Sequence, residues 1–118
     1  MNQSARYRAG ERAEGLAALL LMARGWRVVG RRVKTPLGEI DLIARRASVV
    51  AFVEVKKRDS LGEALEAITP YQRKRLMKAA RWWLAAHPEH AAATCRFDMV
   101  AVNRWYVARH VSNVFDGD

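Results

Sequence analysis

A chain of 118 residues, 51% of them hydrophobic, with a formal charge of +9, has room for one globular core and excludes both a two-domain protein and a disordered basic tail. A folded surface that basic favours polyanions, meaning DNA, RNA or an anionic membrane face, with a nucleic-acid partner weighed ahead of mere solubility. Its single cysteine, Cys95, excludes an internal disulfide and reads as a small core residue on a strand, as expected of a cytoplasmic protein.

In chain order, Leu16, Leu19, Leu20 and Ala23 recur at helical spacing between Ala5 and Arg24, with Glu11 and Glu14 in the early turns and Gly25 as the stop. The opening fifteen residues lack the apolar stretch of a signal peptide, and "LAALLLMA" (16–23) is too short to cross a bilayer, so no membrane association is expected. "WRVVGRRVK" (26–34) predicts a strand that ends at the turn "TPLG". Two more strands follow, about 39–45 and 49–57, joined around Ala47 and Ser48. A short helix is expected over 61–67, and a longer one begins with Thr69 as N-cap and Pro70 in its first turn and ends near His87 and Pro88. Residues 94–103 and 105–111 read as the last two strands, with a tail frayed beyond Phe115. Helix, three-strand meander, helix and strand make a single α/β domain over 1–118, a mixed sheet flanked by helices.

The stretch "GEIDLIARRASVVAFVEVKKR" (38–58) places an acid in the middle of each of two apolar strands. With an even-length turn centred between Ala47 and Ser48, facing residues have numbers that sum to 95, and Asp41 lies opposite Glu54. Facing residues share a side of the sheet with Cβ atoms about 4.5–5.5 Å apart, and Lys56, two residues from Glu54, shares that side. Two carboxylates so close either raise a pKa or require a cation. Mg²⁺ or Mn²⁺ suits them, held by Asp41, Glu54 and the Val55 backbone carbonyl with water and phosphate oxygens completing the shell. Such a metal polarises a scissile phosphate, while Lys56 orients the attacking water or neutralises growing charge. The same residues also fit a surface ion pair on a plain binding domain, and the residues alone leave both readings open.

Beside the acids, Lys57 and Arg58 add positive charge, as do Arg31, Arg32, Arg45 and Arg46 around the hairpin turns. On the long helix Leu76, Ala80, Trp83 and Leu84 form the expected buried stripe, whereas Arg75, Lys78 and Trp82 share another face suited to phosphate contact and base stacking. Gln72 is the polar helix residue expected nearest the acids. Asp98 is a candidate structural partner for one of the hairpin arginines.

"GEIDLIA…FVEVKKR", with "AEGLAALLLMARGW" (13–26), "RFDMV" (96–100) and "HVSNVF" (110–115), resembles the bacterial YraN family, small proteins assigned to the restriction-endonuclease-like, PD-(D/E)xK superfamily. The resemblance covers nearly the whole chain. It implies a restriction-endonuclease-like αβββαβ core and a metal-dependent endonuclease acting on DNA. By position it implies Asp41 and Glu54 as metal ligands, Lys56 as the catalytic lysine and Glu14 on the first helix as a further acidic member. Archaeal Holliday junction resolvases share a similar layout, which extends the expectation to branched DNA and, for symmetric junction cleavage, to a homodimer. Two rivals stand beside the nuclease: a catalytically silent nucleic-acid-binding module on the same fold, and a protein-interaction domain.

Overall fold

The central hairpin organises the molecule. In the computed structural model, which describes residues 3–115 and their side chains from Arg8 onward, β2 (Gly38–Arg46) and β3 (Val49–Lys57) pair antiparallel, running from Arg46 with Val49 to Leu42 with Val53. The rungs sum to 95, as the even-length turn predicts, and Ala47 makes that turn with a left-handed φ of 51°. β1 (Arg27–Thr35) pairs with β2 on the outer side, β4 (Thr94–Val102) runs parallel to β3, and β5 (Ala108–Phe115) pairs antiparallel with β4. The result is one mixed five-stranded sheet in the order β1-β2-β3-β4-β5, an α/β fold.

α1 (Gln3–Ala23) covers one face and α3 (Pro70–Ala86) the other, so the β3 residues Val50, Ala51, Phe52 and Val53 are all fully buried. Strands buried on both faces read as continuous apolar runs, which explains "VVAFVEV". A short helix, α2 (Leu61–Glu66), adds a third small cluster around Ala64, Ile68, Met99 and Ala101. No helix among the described residues is long and apolar enough to cross a membrane.

Local sequence explains the borders of both long helices. Trp26 and Gly25 donate to Leu21 and Met22 carbonyls at 3.0 and 3.1 Å, and Gly25 takes the left-handed φ of 87° that lets α1 stop there. At α3, Thr69 and Gln72 form a reciprocal capping box with Pro70 in the first turn.

Three expectations are corrected. On α1, Ala17, Ala18 and Leu21 are buried with Ala13 on the side of Glu14, as their shared face predicts, but Leu19 is 61% exposed and Ala23 is exposed too. Alanines let the helix backbone lie close on Leu42, Val53 and Val100, with Leu21 buried among them, Leu16 and Leu20 packed half-buried at the edge, and Leu19 turned outward. The last strand begins at Ala108 and not at Trp105, because Asn103 accepts from the Trp105 and Val107 amides and bends 103–107 into a loop, with Tyr106 at a φ of 59°. Cys95 is exposed: β5 pairs with β4 only from Phe97 onward, which leaves that flank of the strand bare. The frayed tail beyond Phe115 lies outside the described residues.

Candidate active site

The two hairpin acids sit where the sheet's regular pairing fails. The β2–β3 rungs reach Leu42 with Val53, and one step further the Asp41 carboxylate replaces the backbone partner, its Oδ2 accepting the Val55 amide at 2.8 Å. On the other flank the β1–β2 rungs step from Arg31 with Leu42 to Val33 with Ile40. Between them Arg32 takes a left-handed φ of 46°, a strained conformation for a residue with a side chain. That kink lets the Arg32 guanidinium reach α1, where its Nε donates to Glu14 Oε1 at 2.5 Å.

Glu54, half-buried on β3, holds Lys56 Nζ at 3.3 Å, with side-chain exposures of 21% and 14%. Their face is the one that carries Val50 and Phe52 into the core. Glu14 is 7% exposed, and its charge is felt at both hairpin acids, so α1, β2 and β3 bring Glu14, Asp41, Glu54 and Lys56 into one electrostatic neighbourhood. Burial first, then the Glu54 charge, pushes the Asp41 carboxyl up to about 7, and the Val55 amide and Lys56 only partly offset this. Burial raises Glu54 as well, with Lys56 pulling the other way. One lysine is too little positive charge for the acids around it.

That shortfall bears on a metal. Among the described residues no three His, Cys, Asp or Glu side chains are gathered to ligate one ion. A site here would rest on two carboxylates, Asp41 and Glu54, with the Val55 carbonyl, and Glu14 is already engaged by Arg32. An all-oxygen donor set with two carboxylates and net unbalanced negative charge fits Mg²⁺ or Mn²⁺, which keep several water ligands.

Beside Glu54 opens a cleft of about 440 Å³ between the β1–β2 turn and the first turns of α3. Gln72 lines it, although its Oε1 also accepts the Thr69 amide at 3.2 Å in the cap. Glu39, Tyr71 and Arg75 line it too.

The other basic candidates divide. Lys57 and Arg58 lie exposed just past Lys56, where Lys57 Nζ sits 5.2 Å from the Tyr106 ring centre. Arg75, Lys78 and Trp82 are exposed on α3, with Trp82 at 41%. Arg45 and Arg46 do not join the acids. They stand at the turn end of the hairpin, four and five residues from Asp41, a span of about 13–17 Å at strand rise. There Arg45 contacts His90 Nδ1 at 2.9 Å, and Arg46 donates to the Arg24 carbonyl and lies over Trp26. Asp98 is fully buried, and its arginine is Arg96 from its own strand rather than one from the hairpin. Arg32 as the partner of Glu14 was illegible beforehand, since nothing local announces a left-handed arginine in a strand. Tyr71 did carry a signal, an aromatic directly after the helix-starting Pro70.

A mixed-sheet α/β domain with one long helix on each face, its paired acids and lysine on the central hairpin, defines the class. Within it the chain belongs to the Uncharacterised protein family UPF0102, which is the YraN family, matched over residues 13–102. It is 50% identical over 112 residues to a UPF0102 protein of Bradyrhizobium diazoefficiens, covering 95% of this chain and 84% of that one. A UPF0102 protein of Chelativorans sp. is 50% identical over 92% of this chain and 88% of its own, and one of Nitrobacter winogradskyi 46% identical over 95% of each.

Proposed function

We propose that the protein is a Mg²⁺- or Mn²⁺-dependent endonuclease that hydrolyses phosphodiester bonds in DNA in the cytoplasm. The observation that carries this reading is the pair of half-buried acids, Asp41 and Glu54, on adjacent strands with Lys56 as their near cation. A binding surface for polyanions has no use for buried negative charge, whereas a metal-assisted hydrolase requires it. The +9 charge supplies the long-range attraction for the substrate.

In this reading Asp41, Glu54 and the Val55 carbonyl hold the ion, which when bound polarises the phosphate and acidifies a water. Val55's amide holds Asp41 in place, so the carboxylate is set before substrate arrives. Lys56, kept near Glu54, donates to the attacking water or to the phosphate oxygens as charge grows there. The water oxygen bonds to phosphorus, one P–O ester bond breaks, the water's proton passes to solvent, and the leaving oxygen takes a proton from solvent to become the alcohol end. Glu14, neutralised in part by Arg32, tunes the pair through its field. Lys57, Arg58 and Arg75 contact the flanking phosphates, with Lys78 and Trp82 extending that track along α3. Cutting a four-way junction on two strands would require two copies of the chain.

The test is cleavage of single-stranded, duplex, flapped and four-way-junction DNA with Mg²⁺, Mn²⁺ or EDTA, comparing wild type with Glu54→Ala and Lys56→Ala. Metal-dependent cutting that falls by about 10²–10³-fold or more in both variants is expected. Wild type that binds DNA in all metals and cuts none of it would leave the silent binding module instead. No DNA binding at all would favour a protein-interaction domain.

A further inference from the structure

The cleft beside Glu54 has one wall where the chemistry above gives Arg75 a phosphate to contact and leaves its neighbour Tyr71 without a task. Tyr71 is the one aromatic among its described lining residues, and at 68% exposure its ring is free of the core. It stands in the first turn of α3, which Pro70 and the Thr69–Gln72 capping box hold rigid. Arg75, one turn on, lies with its guanidinium 5.8 Å from the Tyr71 ring centre. Its Nε reaches the Leu37 carbonyl at 3.4 Å across the β1–β2 turn. The turn is built to admit it: Gly38 carries a φ of 137°, and a Cβ added there would stand 3.3 Å from Arg75 Nη2. A cation and an exposed ring therefore stand side by side on the capped first turns of α3, in the same cleft as Glu54.

A solvent-exposed aromatic beside an arginine is the pairing by which proteins hold unpaired nucleotides, the ring stacking a base of any identity and the guanidinium taking a phosphate. A paired base hides both of its faces in the duplex stack and cannot use such a ring. Resting on the nuclease reading, we propose that Tyr71 and Arg75 form a subsite for one unpaired nucleotide, so that the strand held at Glu54 is single-stranded on the α3 side of the cleft. Flapped, gapped or single-stranded DNA is then the substrate class, ahead of continuous duplex. Trp105 is more exposed, at 78%, but stands on the β4–β5 loop outside this cleft.

The experiment reads binding in EDTA, where no cleavage is needed. A flapped duplex carries 2-aminopurine at the first unpaired position, and its fluorescence reports stacking. Quenching by wild type, flap bound more tightly than duplex, and a loss of about tenfold in flap affinity in Tyr71→Ala with retention in Tyr71→Phe are expected. Arg75→Ala should lower the salt slope of flap binding by about one and Arg75→Lys restore it. An unquenched probe, or a Tyr71→Ala variant that weakens duplex and flap equally, overturns the subsite. Failure of wild type to cut any DNA would instead overturn the nuclease reading and leave the binding result standing.

Discussion

Two groups of carboxylate, Asp98 on β4 and the half-buried pair Asp41 and Glu54 on β2 and β3, behave in opposite ways. Asp98 on β4 is fully buried, yet it receives both Arg96 bonds at 2.9 and 2.8 Å, contacts His110 Nε2 at 2.8 Å and accepts the Asn113 amide at 2.9 Å. Burial alone would raise its pKa, but those bonds outweigh it and hold the carboxyl below the usual range. Asp41 and Glu54 are less buried, share one lysine, and are both pushed up. Burial of an acid therefore does not mark a site. What marks it is charge whose neighbours fall short of satisfying it, which is a demand for something the chain does not itself provide.

The largest effect that would test this contrast is at the satisfied acid. Asp98→Ala should destabilise the fold by about 3–5 kcal/mol in urea titration, since it strands a guanidinium and an imidazole. Glu54→Gln should differ in kind, losing cleavage by about 10²–10³-fold with the urea midpoint at or above that of wild type. If Glu54→Gln proves as destabilising as Asp98→Ala, the two groups are alike and both structural.

The smaller effect is on pH. Asp41's raised pKa favours the protonated form in the fold, so its contribution is present at acid pH and is lost as pH rises from 3.8 to about 7 in EDTA. The lowered pKa of Asp98 has the reverse sign, its contribution being lost as pH falls below the usual carboxylate range. Asp41→Asn keeps an acceptor for the Val55 amide and removes the charge. At pH 8 without metal it should raise Tm by roughly 4 °C, equivalent to about 1 kcal/mol. Wild type should gain Tm from Mg²⁺ at pH 8 and much less at pH 5, and the variant at neither. A Tm for Asp41→Asn equal to wild type at pH 8 would show the carboxylate already balanced and sink the contrast.

How much of this was legible depends on range. The hairpin register from Arg46 with Val49 to Leu42 with Val53 could be read because a two-residue turn and period-2 alternation are local, but the expected Asp41–Glu54 rung is replaced by the Asp41 carboxylate accepting the Val55 amide. Likewise Thr69, Pro70 and Gly25 announced their helix ends through groups a few residues away. Cys95 misled because it pairs with Val50 on one side of the strand while β5 leaves its other side bare. Arg45 and Arg46 stand at the hairpin turn as read, and only the structure shows their contacts there with His90, the Arg24 carbonyl and Trp26.

The sequence by itself determined the order αβββαβ, the pairing of the central hairpin and the identity of its acids and lysine, since each follows from periodicity, turn chemistry or residue type. Only the tertiary structure decided which acids are left short of partners. Arg96, His110 and the Asn113 amide converge on Asp98 across the β4–β5 pair, Arg32 reaches Glu14 across from β1 to α1, and Arg75 meets the β1–β2 turn 38 residues away. Charge balance in a low-dielectric interior is a sum over neighbours in space, and no pattern along the chain contains it.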